Sequence, residues 1–238
     1  MKKLRPRKNQ TRFPREIAIL YEDDAVVALN KPAGLLAVPI KGSRVASALS
    51  VLSEELKPRR QRAFIVHRID RFASGVLLFA KTQLDRDSLI KQFLGHTPLR
   101  EYLVVVRGHL ERPQGELVHY FRRDGMIQKL SKAHDRSAAR AELTYSVESR
   151  LRGTSLLRVR LGTGLQNQIR AQFAAIGHPV VGDRKYSPGE TSESRIDRVA
   201  LHAARLEFVH PRTGRPVNIN CEMPADMRTL IRGLSSSR

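Results

Sequence analysis

The apolar residues of this chain occur in short runs separated by turn-forming residues, and this spacing restricts the folds that the chain can adopt. The longest runs are short, such as "VLLFA" at 76–80, whereas a membrane-spanning helix requires about 20 apolar residues. Runs of this length are typical of buried strands. We therefore expect no membrane insertion, and a globular fold in which strands supply most of the core.

Strand patterns outnumber helix patterns, and short connections join most of them. Strands are predicted at 17–22, 25–31, 74–82, 100–108, 140–151, 154–162 and in a hairpin at 201–224. Helices are predicted from apolar spacing at 44–56, 83–95 and 166–177, with Thr82 as the N-cap of the second. We infer an α+β fold with a mixed, largely antiparallel central sheet and flanking helices and loops.

Domain organisation follows from where polar and basic residues concentrate. Residues 1–15 are polar and basic and have no apolar segment behind them, which predicts a disordered arm and no secretory signal. Residues 16–238 contain no linker and no internal repeat, so we expect one domain.

Cys221 is the only cysteine. This excludes an internal disulfide or a thiolate metal cluster and fits a cytoplasmic protein.

The charge balance points to the partner of the chain. Lysine and arginine number 43 against 23 acidic residues, which gives a formal net charge of +20. An excess of this size favours a polyanionic partner, RNA or DNA before an acidic membrane surface. The eight histidines show no metal-ligand spacing, and no motif for a nucleotide cofactor occurs, so we expect neither a metal nor a cofactor.

One carboxylate stands out within "HRIDRFASG" at 67–75, where Asp70 lies among His67, Arg68 and Arg71. Neighbouring cations favour its ionised form, and a carboxylate can attack a sugar carbon or stabilise an oxocarbenium-like centre. The motif by itself is equally compatible with a structural ion pair. The small residues at 73–75 predict close approach of another backbone or a ligand.

Two further residues are candidates for a site. Arg170 lies on the helix predicted after "GTGLQ" at 162–166, where its planar guanidinium could bind a carboxylate or a phosphate. Tyr102 opens a strand and could stack on a base. Each also has an ordinary structural interpretation, a solvated helix face for Arg170 and a sheet-edge tyrosine for Tyr102.

Five segments in order resemble the motifs of the RluA-type pseudouridine synthases, over residues of about 27–227. "HRIDRFASG" is similar to the H-R-[LI]-D-x-x-T-S-G signature. The other four segments are "LNKPAGLLAVP", "REYLVVVRG", "GTGLQNQIRAQFAAIGHPVVGDRKY" and "LHAARLEFVHPRTGRPVNINCEMP". The resemblance implies a synthase-like catalytic domain over 16–238 that isomerises uridines of structured RNA, ribosomal or transfer, as a monomer without a cofactor.

The resemblance also implies roles for individual residues. Asp70 matches the catalytic aspartate, Tyr102 the tyrosine that stacks on the uracil, and Arg170 the arginine that pairs with the aspartate. Arg68 matches the basic residue that fills the gap left by the flipped nucleotide. RNA contacts are further expected from Arg71, His67 and Lys31.

The chain departs from the family pattern at three positions, and alternatives to the enzyme remain open. Ala73 replaces the usual threonine, and Leu165 and Asn167 replace the usual arginine and histidine. We expect the last two changes to alter contacts with RNA. They favour a non-catalytic RNA-binding or assembly protein on the same fold as the alternative. A base-releasing glycosidase is disfavoured because such enzymes normally use two carboxylates.

Overall fold

The computed structural model describes residues 3–4, 17–43, 45–125, 127–187 and 196–235. The chain divides into two compact units, Met1–Arg100 with Ala203–Glu222, and Glu101–His202 with Met223–Arg238. The arm expected at 1–15 lies outside the described residues except for Lys3–Leu4, which form a short strand. A single domain over 16–238 therefore stays a prediction.

Twelve strands and four α-helices lie in the described residues. The strands are β1 (Lys3–Leu4), β2 (Ile17–Glu22), β3 (Val26–Lys31), β4 (Phe64–Ile65), β5 (Ser74–Ala80), β6 (Leu99–Arg107), β7 (Gln114–Asp124), β8 (Ile127–Ser131), β9 (Ala139–Leu151), β10 (Thr154–Leu161), β11 (Leu201–Val209) and β12 (Pro216–Asn220). The helices are α1 (Ala48–Leu56), α2 (Gln83–Leu94), α3 (Gln168–Ala175) and α4 (Ala225–Ser235). The predicted α+β fold with a mixed, largely antiparallel sheet is confirmed.

The strands of the first unit follow the order β1-β2-β3-β5-β11, with β4 paired to β5 and β12 paired to β11. Strand β5 is buried at every position, because apolar clusters pack on both of its faces. The cluster around Leu77 and Phe79 includes the buried residues of α1. The cluster around Val76 and Leu78 includes Leu89 of α2.

Capping residues determine where the first two helices begin. Ser47 accepts a hydrogen bond from the backbone N–H of Ser50 and caps α1, so the helix starts later than the apolar pattern from 44 onward predicted. Val45 consequently precedes the helix and is exposed. Thr82 accepts from the N–H of Asp85 and caps α2, as predicted.

The second unit contains the strand order β6-β10-β9-β7-β8, and every one of these neighbours is antiparallel. Leu157 and Val159 of β10 are fully buried, whereas Arg158 and Arg160 on the other face are not, which confirms the predicted alternation. Helix α4 buries Met227 and Leu230 against Val105, Val181 and Ala200.

Two features of the second unit were not predicted from the sequence. Strands β7 and β8 form a hairpin that exposes much of its surface, so its apolar pattern is weak. Helix α4 does carry a helical signal, because Met227, Leu230, Ile231 and Leu234 recur at spacings of three and four residues. That pattern follows Pro224 and could have been recognised.

Within the described part of the chain, no helix has both the length and the apolar character that crossing a membrane demands. Across the same residues, no three His, Cys, Asp or Glu side chains are grouped as ligands of a metal ion would be.

Asp85 joins α2 to the loop after β11 in the first unit. Its carboxylate is buried and accepts hydrogen bonds from Arg212 Nε at 2.9 Å and Nη2 at 2.7 Å, and from Thr82 Oγ1 at 2.6 Å. The bonds from Arg212 are the largest cause that lowers the pKa of Asp85 below its ordinary value of 3.8.

We expect Asp85→Asn to lower the free energy of unfolding by about 1–3 kcal/mol at neutral pH, because Arg212 loses its charged partner. A lowered pKa in the folded state stabilises the protein above pH 3.8, and this contribution is lost as the pH falls through the folded pKa. In urea unfolding, the difference in the free energy of unfolding between the wild type and Asp85→Asn should therefore become smaller at acidic pH. Asp87→Asn, at an exposed position of α2, should change stability little, and an equal loss there would refute the role of Asp85.

Candidate active site

Asp70 opens a tight turn that is bonded at several points to the neighbouring loop. The backbone N–H of Ala73 donates to Asp70 O at 3.2 Å, which closes the turn over residues 70–73. Gly34 N–H donates to Arg71 O at 2.8 Å, and Arg71 Nε donates back to Gly34 O at 3.0 Å. Gly34 has φ +90°, which glycine adopts without strain. These reciprocal bonds hold the backbone of the predicted catalytic aspartate in one conformation.

Lys31 lies at the end of β3 and is fully buried. Its Nζ donates to four backbone carbonyls, Pro32 at 3.0 Å, Leu35 at 2.9 Å, Arg71 at 3.1 Å and Ala73 at 2.7 Å. The expectation that Lys31 contacts RNA is wrong, because its ammonium has no exposed surface to offer a phosphate. Its contacts instead join the loop after β3 to the turn that carries Asp70.

His67 is also a structural residue rather than a cationic RNA contact. Its Nε2 accepts from the backbone N–H of Leu78 at 3.1 Å, and its ring stacks on Phe93 with centroids 4.7 Å apart. Burial, and to a lesser extent the charge of Arg100, lowers the pKa of His67 to about 3. The ring is therefore neutral at physiological pH, so a contact of His67 with RNA, which stays a prediction, would not involve a positive charge.

Arg68 and Arg71 flank Asp70 and are exposed. The Arg71 guanidinium lies over the Phe72 ring, 5.3 Å from its centroid. Both arginines therefore present positive charge to solvent beside the candidate carboxylate.

Close approach of a second backbone occurs at Gly75, as the run of small residues predicted. A Cβ at this position would lie 2.1 Å from the carbonyl oxygen of Ala203, and Gly75 has φ +112°. Only glycine fits both constraints. This contact places β11 directly against the start of β5, one turn beyond Asp70.

Arg170 lies on α3 in the second unit and is buried. Its Nε and Nη2 donate to the two carboxylate oxygens of Asp183, each at 2.7 Å, and its Nη1 donates to Asn167 Oδ1 at 2.9 Å. Tyr186 lies under the guanidinium, with its ring centroid 5.4 Å from Cζ. A bidentate pair fixes both the position and the plane of the guanidinium.

Asn167 faces inward, toward Arg170, and is 8 % exposed. It adopts φ +55° at the start of α3, a conformation that asparagine tolerates better than most residues. Leu165, the other departure from the family pattern, packs against Phe121 and Ala171. The asparagine at position 167 therefore orients the arginine, and the expected effect of the replaced histidine on RNA contacts stays a prediction.

Tyr102 lies on β6 opposite Val159 and is 7 % exposed. The preceding residue, Glu101, is buried and accepts from Arg158 and Arg160. Burial by itself raises the pKa of Glu101, but the hydrogen bonds from the two arginines outweigh it and leave the pKa lowered. This ion cluster holds the strand on which Tyr102 lies.

Sequence reasoning missed two acids that support these residues, Asp183 and Glu101. Asp183 follows Gly182 in the segment that resembles a family motif, and this position could have identified it. Asp70 belongs to the first unit, and Tyr102 and Arg170 belong to the second.

Comparison with known proteins identifies the class. Residues 25–175 match the RNA pseudouridylate synthase family. Ribosomal large subunit pseudouridine synthase D of Zymomonas mobilis is 33 % identical over 234 residues, covering 93 % of this chain and 74 % of that protein. Dual-specificity RNA pseudouridine synthase RluA of Vibrio vulnificus is 31 % identical, covering 90 % and 86 %. The structure of human RNA Pseudouridylate Synthase Domain Containing 4 has the same fold, with a TM-score of 0.75 at 21 % identity over 91 % of this chain and 92 % of that one.

The chain belongs to the RNA pseudouridylate synthase family, as its motifs predicted. It is therefore an RNA pseudouridine synthase, an isomerase whose substrate is RNA. Neither the non-catalytic assembly protein nor the glycosidase that the sequence left open finds support in these comparisons.

The contacts of Arg170 predict the effect of a conservative change. We expect Arg170→Lys to lower turnover at least ~10-fold, or about 1.4 kcal/mol of transition-state stabilisation, because an ammonium on a flexible stem cannot reproduce the planar fork that binds both oxygens of Asp183. Affinity for RNA should change little, since the side chain is buried. Single-turnover kinetics together with filter binding would separate the two effects.

Arg184→Lys is the matched control, because Arg184 lies next to Asp183 and is exposed. Turnover of this control should equal that of the wild type. A loss of affinity with unchanged turnover in Arg170→Lys would identify Arg170 as a phosphate contact instead.

Proposed function

We propose that Asp70 is the catalytic carboxylate of this synthase, and that Tyr102 and Arg170 assist it. The observation that carries the proposal is the turn at 70–73, which the buried Lys31 and the Gly34 loop hold on two sides. Catalytic groups need such preorganisation, because a misplacement of about 1 Å can reduce the rate 100-fold. The exposed cations Arg68 and Arg71 draw in the RNA.

The reaction rearranges one nucleoside without consuming another reactant. The N1–C1′ glycosidic bond of uridine breaks, the uracil turns over, and its C5 forms a bond to C1′. The hydrogen on C5 leaves as a proton, and N1 gains one. Asp70 acts at C1′, either by forming a bond to the sugar or by stabilising its positive charge while the base rotates.

The two other residues of the proposed site differ in role. Tyr102 offers an aromatic face for the uracil, and its strand is held by the Glu101 ion cluster. Arg170 provides the guanidinium whose family counterpart pairs with the catalytic aspartate. Asp183 and Asn167 hold this guanidinium through hydrogen bonds from its Nε, Nη1 and Nη2.

A uridine within folded RNA must leave its stack before Asp70 can reach C1′. We assign Arg68 to the gap that the extruded nucleotide leaves, and Arg71 to the neighbouring phosphates. Phosphate contacts of this kind position the RNA without reading its sequence. The formal net charge of +20 supports strong, salt-dependent binding.

Ribosomal RNA is the substrate that we propose first. The name of the Zymomonas mobilis relative refers to the large ribosomal subunit, whereas that of the Vibrio vulnificus relative states a dual specificity. Transfer RNA is therefore the second candidate. We propose that the protein acts in the cytoplasm, since the single Cys221 needs no oxidising compartment. We also propose that it acts as a monomer, as the family resemblance implies. Mapping pseudouridine in total RNA with and without the gene would identify the target.

The proposed role of Asp70 predicts a variant that folds but does not turn over. We expect Asp70→Asn to abolish isomerisation, because the amide keeps the shape of the side chain but is neither a nucleophile nor an anion. Its melting temperature should stay near that of the wild type. Asp87→Asn, which is exposed on α2, should retain full activity. Near-wild-type turnover in Asp70→Asn would exclude the assignment, and unfolding would point to a structural ion pair.

A tritium-release assay tests the reaction itself. With RNA labelled at C5 of its uridines, we expect release of tritium to water, no free uracil, and an RNA mass unchanged apart from the label. The substrate should be RNA from cells that lack the gene, so that the target site is present and unmodified. Free uracil would indicate a glycosidase. Binding without tritium release on this RNA would favour the assembly protein.

A further inference from the structure

Phe72 lies two residues after Asp70, and 47 % of it is exposed. Among the described residues it is the only aromatic member of the exposed large hydrophobic side chains. Exposure of a phenyl ring costs free energy in water. A ring kept in this position beside a proposed catalytic carboxylate suggests that something covers it during function.

The backbone that carries Phe72 is fixed on both sides of the residue. Lys31 Nζ donates to the carbonyls of Arg71 and Ala73, the two neighbours of Phe72, at 3.1 and 2.7 Å. The N–H of Ala73 also donates to Asp70 O. A ligand that binds the ring therefore needs to order little backbone, which increases the free energy left for binding.

The ring itself is oriented by its neighbour. The Arg71 guanidinium lies over the Phe72 ring, 5.3 Å from the centroid, within the range of a cation–π contact. Arg71 Nε donates to Gly34 O at 3.0 Å, so the guanidinium is tied to a second loop. Arg71 and Phe72 thus form the beginning of a stack that a planar group can extend.

We propose that Phe72 stacks on an RNA base next to the target uridine, and this inference rests on the proposed function of Asp70. Extrusion of a uridine deprives its neighbours of one stacking partner, and proteins receive unstacked bases on aromatic side chains. The exposed cation Arg71 would contact the adjoining phosphates, while Arg68 occupies the gap that the extruded uridine leaves. A phenyl ring has no hydrogen-bonding group, so it stabilises the opened RNA with little preference for the base.

The absence of tryptophan from the sequence allows a direct test. Phe72→Trp makes a full-length protein with a single tryptophan, whose fluorescence is quenched when a nucleobase stacks on it. The probe is protein-free large-subunit ribosomal RNA, with filter binding to establish saturation. We expect quenching in Phe72→Trp, and none in the control Leu84→Trp, at a site on α2 that is 81 % exposed. Unchanged emission at saturation would overturn the proposal.

Affinities of three further variants test whether the ring acts by stacking. We expect Phe72→Ala and Phe72→Leu each to weaken RNA binding by about 10-fold, within the range measured for base–aromatic stacking, and Phe72→Tyr to restore it to within ~2-fold. Leu84→Ala should bind as the wild type. If Phe72→Leu bound RNA with wild-type affinity, position 72 would contribute only apolar area, as a residue of a protein–protein interface does. That result would overturn the proposal.

The same measurements separate this inference from the proposed function. Neither the quenching measurement nor the affinity measurement requires turnover. Both can therefore be made in proteins that also carry Asp70→Asn. Tritium release by the wild type without quenching at position 72 would refute the stacking role alone. Quenching in Phe72→Trp without tritium release by the wild type would refute the proposed function and leave a base contact at Phe72.

Discussion

The hydrogen bonds of one buried lysine hold the part of the structure on which the proposed chemistry depends. Lys31 ends β3 with its ammonium fully buried and bonded to four backbone carbonyls. A buried charge is costly unless it is well coordinated, and these four carbonyls coordinate it. The ammonium and the two loops therefore depend on each other. These hydrogen bonds therefore fix the geometry of the turn that contains Asp70 and Phe72.

The protein contains many more basic than acidic residues, and arginine side chains bind the buried acids of both units. Asp85 is bonded to Arg212, Glu101 to Arg158 and Arg160, and Asp183 to Arg170. Each pair is internal to one unit, where it fixes a helix or strand. Exposed arginines such as Arg68 and Arg71 are the ones positioned to meet a polyanion. Residue type alone does not distinguish these two populations, because the acids that bind the first population come from other segments of the chain.

Local sequence patterns predicted the secondary structure where the sequence contains a capping residue or a regular repeat of apolar residues. Thr82 and the alternation along β10 are examples, because both signals are local. The starts of α1 and α3 were placed too early, since Ser47 caps the first and Asn167 adopts a left-handed conformation before the second. The β7–β8 hairpin was missed because it exposes much of its surface, and α4 because its pattern was overlooked.

The sequence by itself determined the class of protein, since five motifs in family order single out one aspartate, one tyrosine and one arginine. It did not determine the direction in which individual polar side chains point. Lys31 and His67 were expected to contact RNA, yet both bond to backbone groups of the fold. Asn167 likewise faces Arg170 and not the solvent. Only the tertiary structure decided these roles, because the partners that bury and bond a side chain come from segments that are distant along the chain.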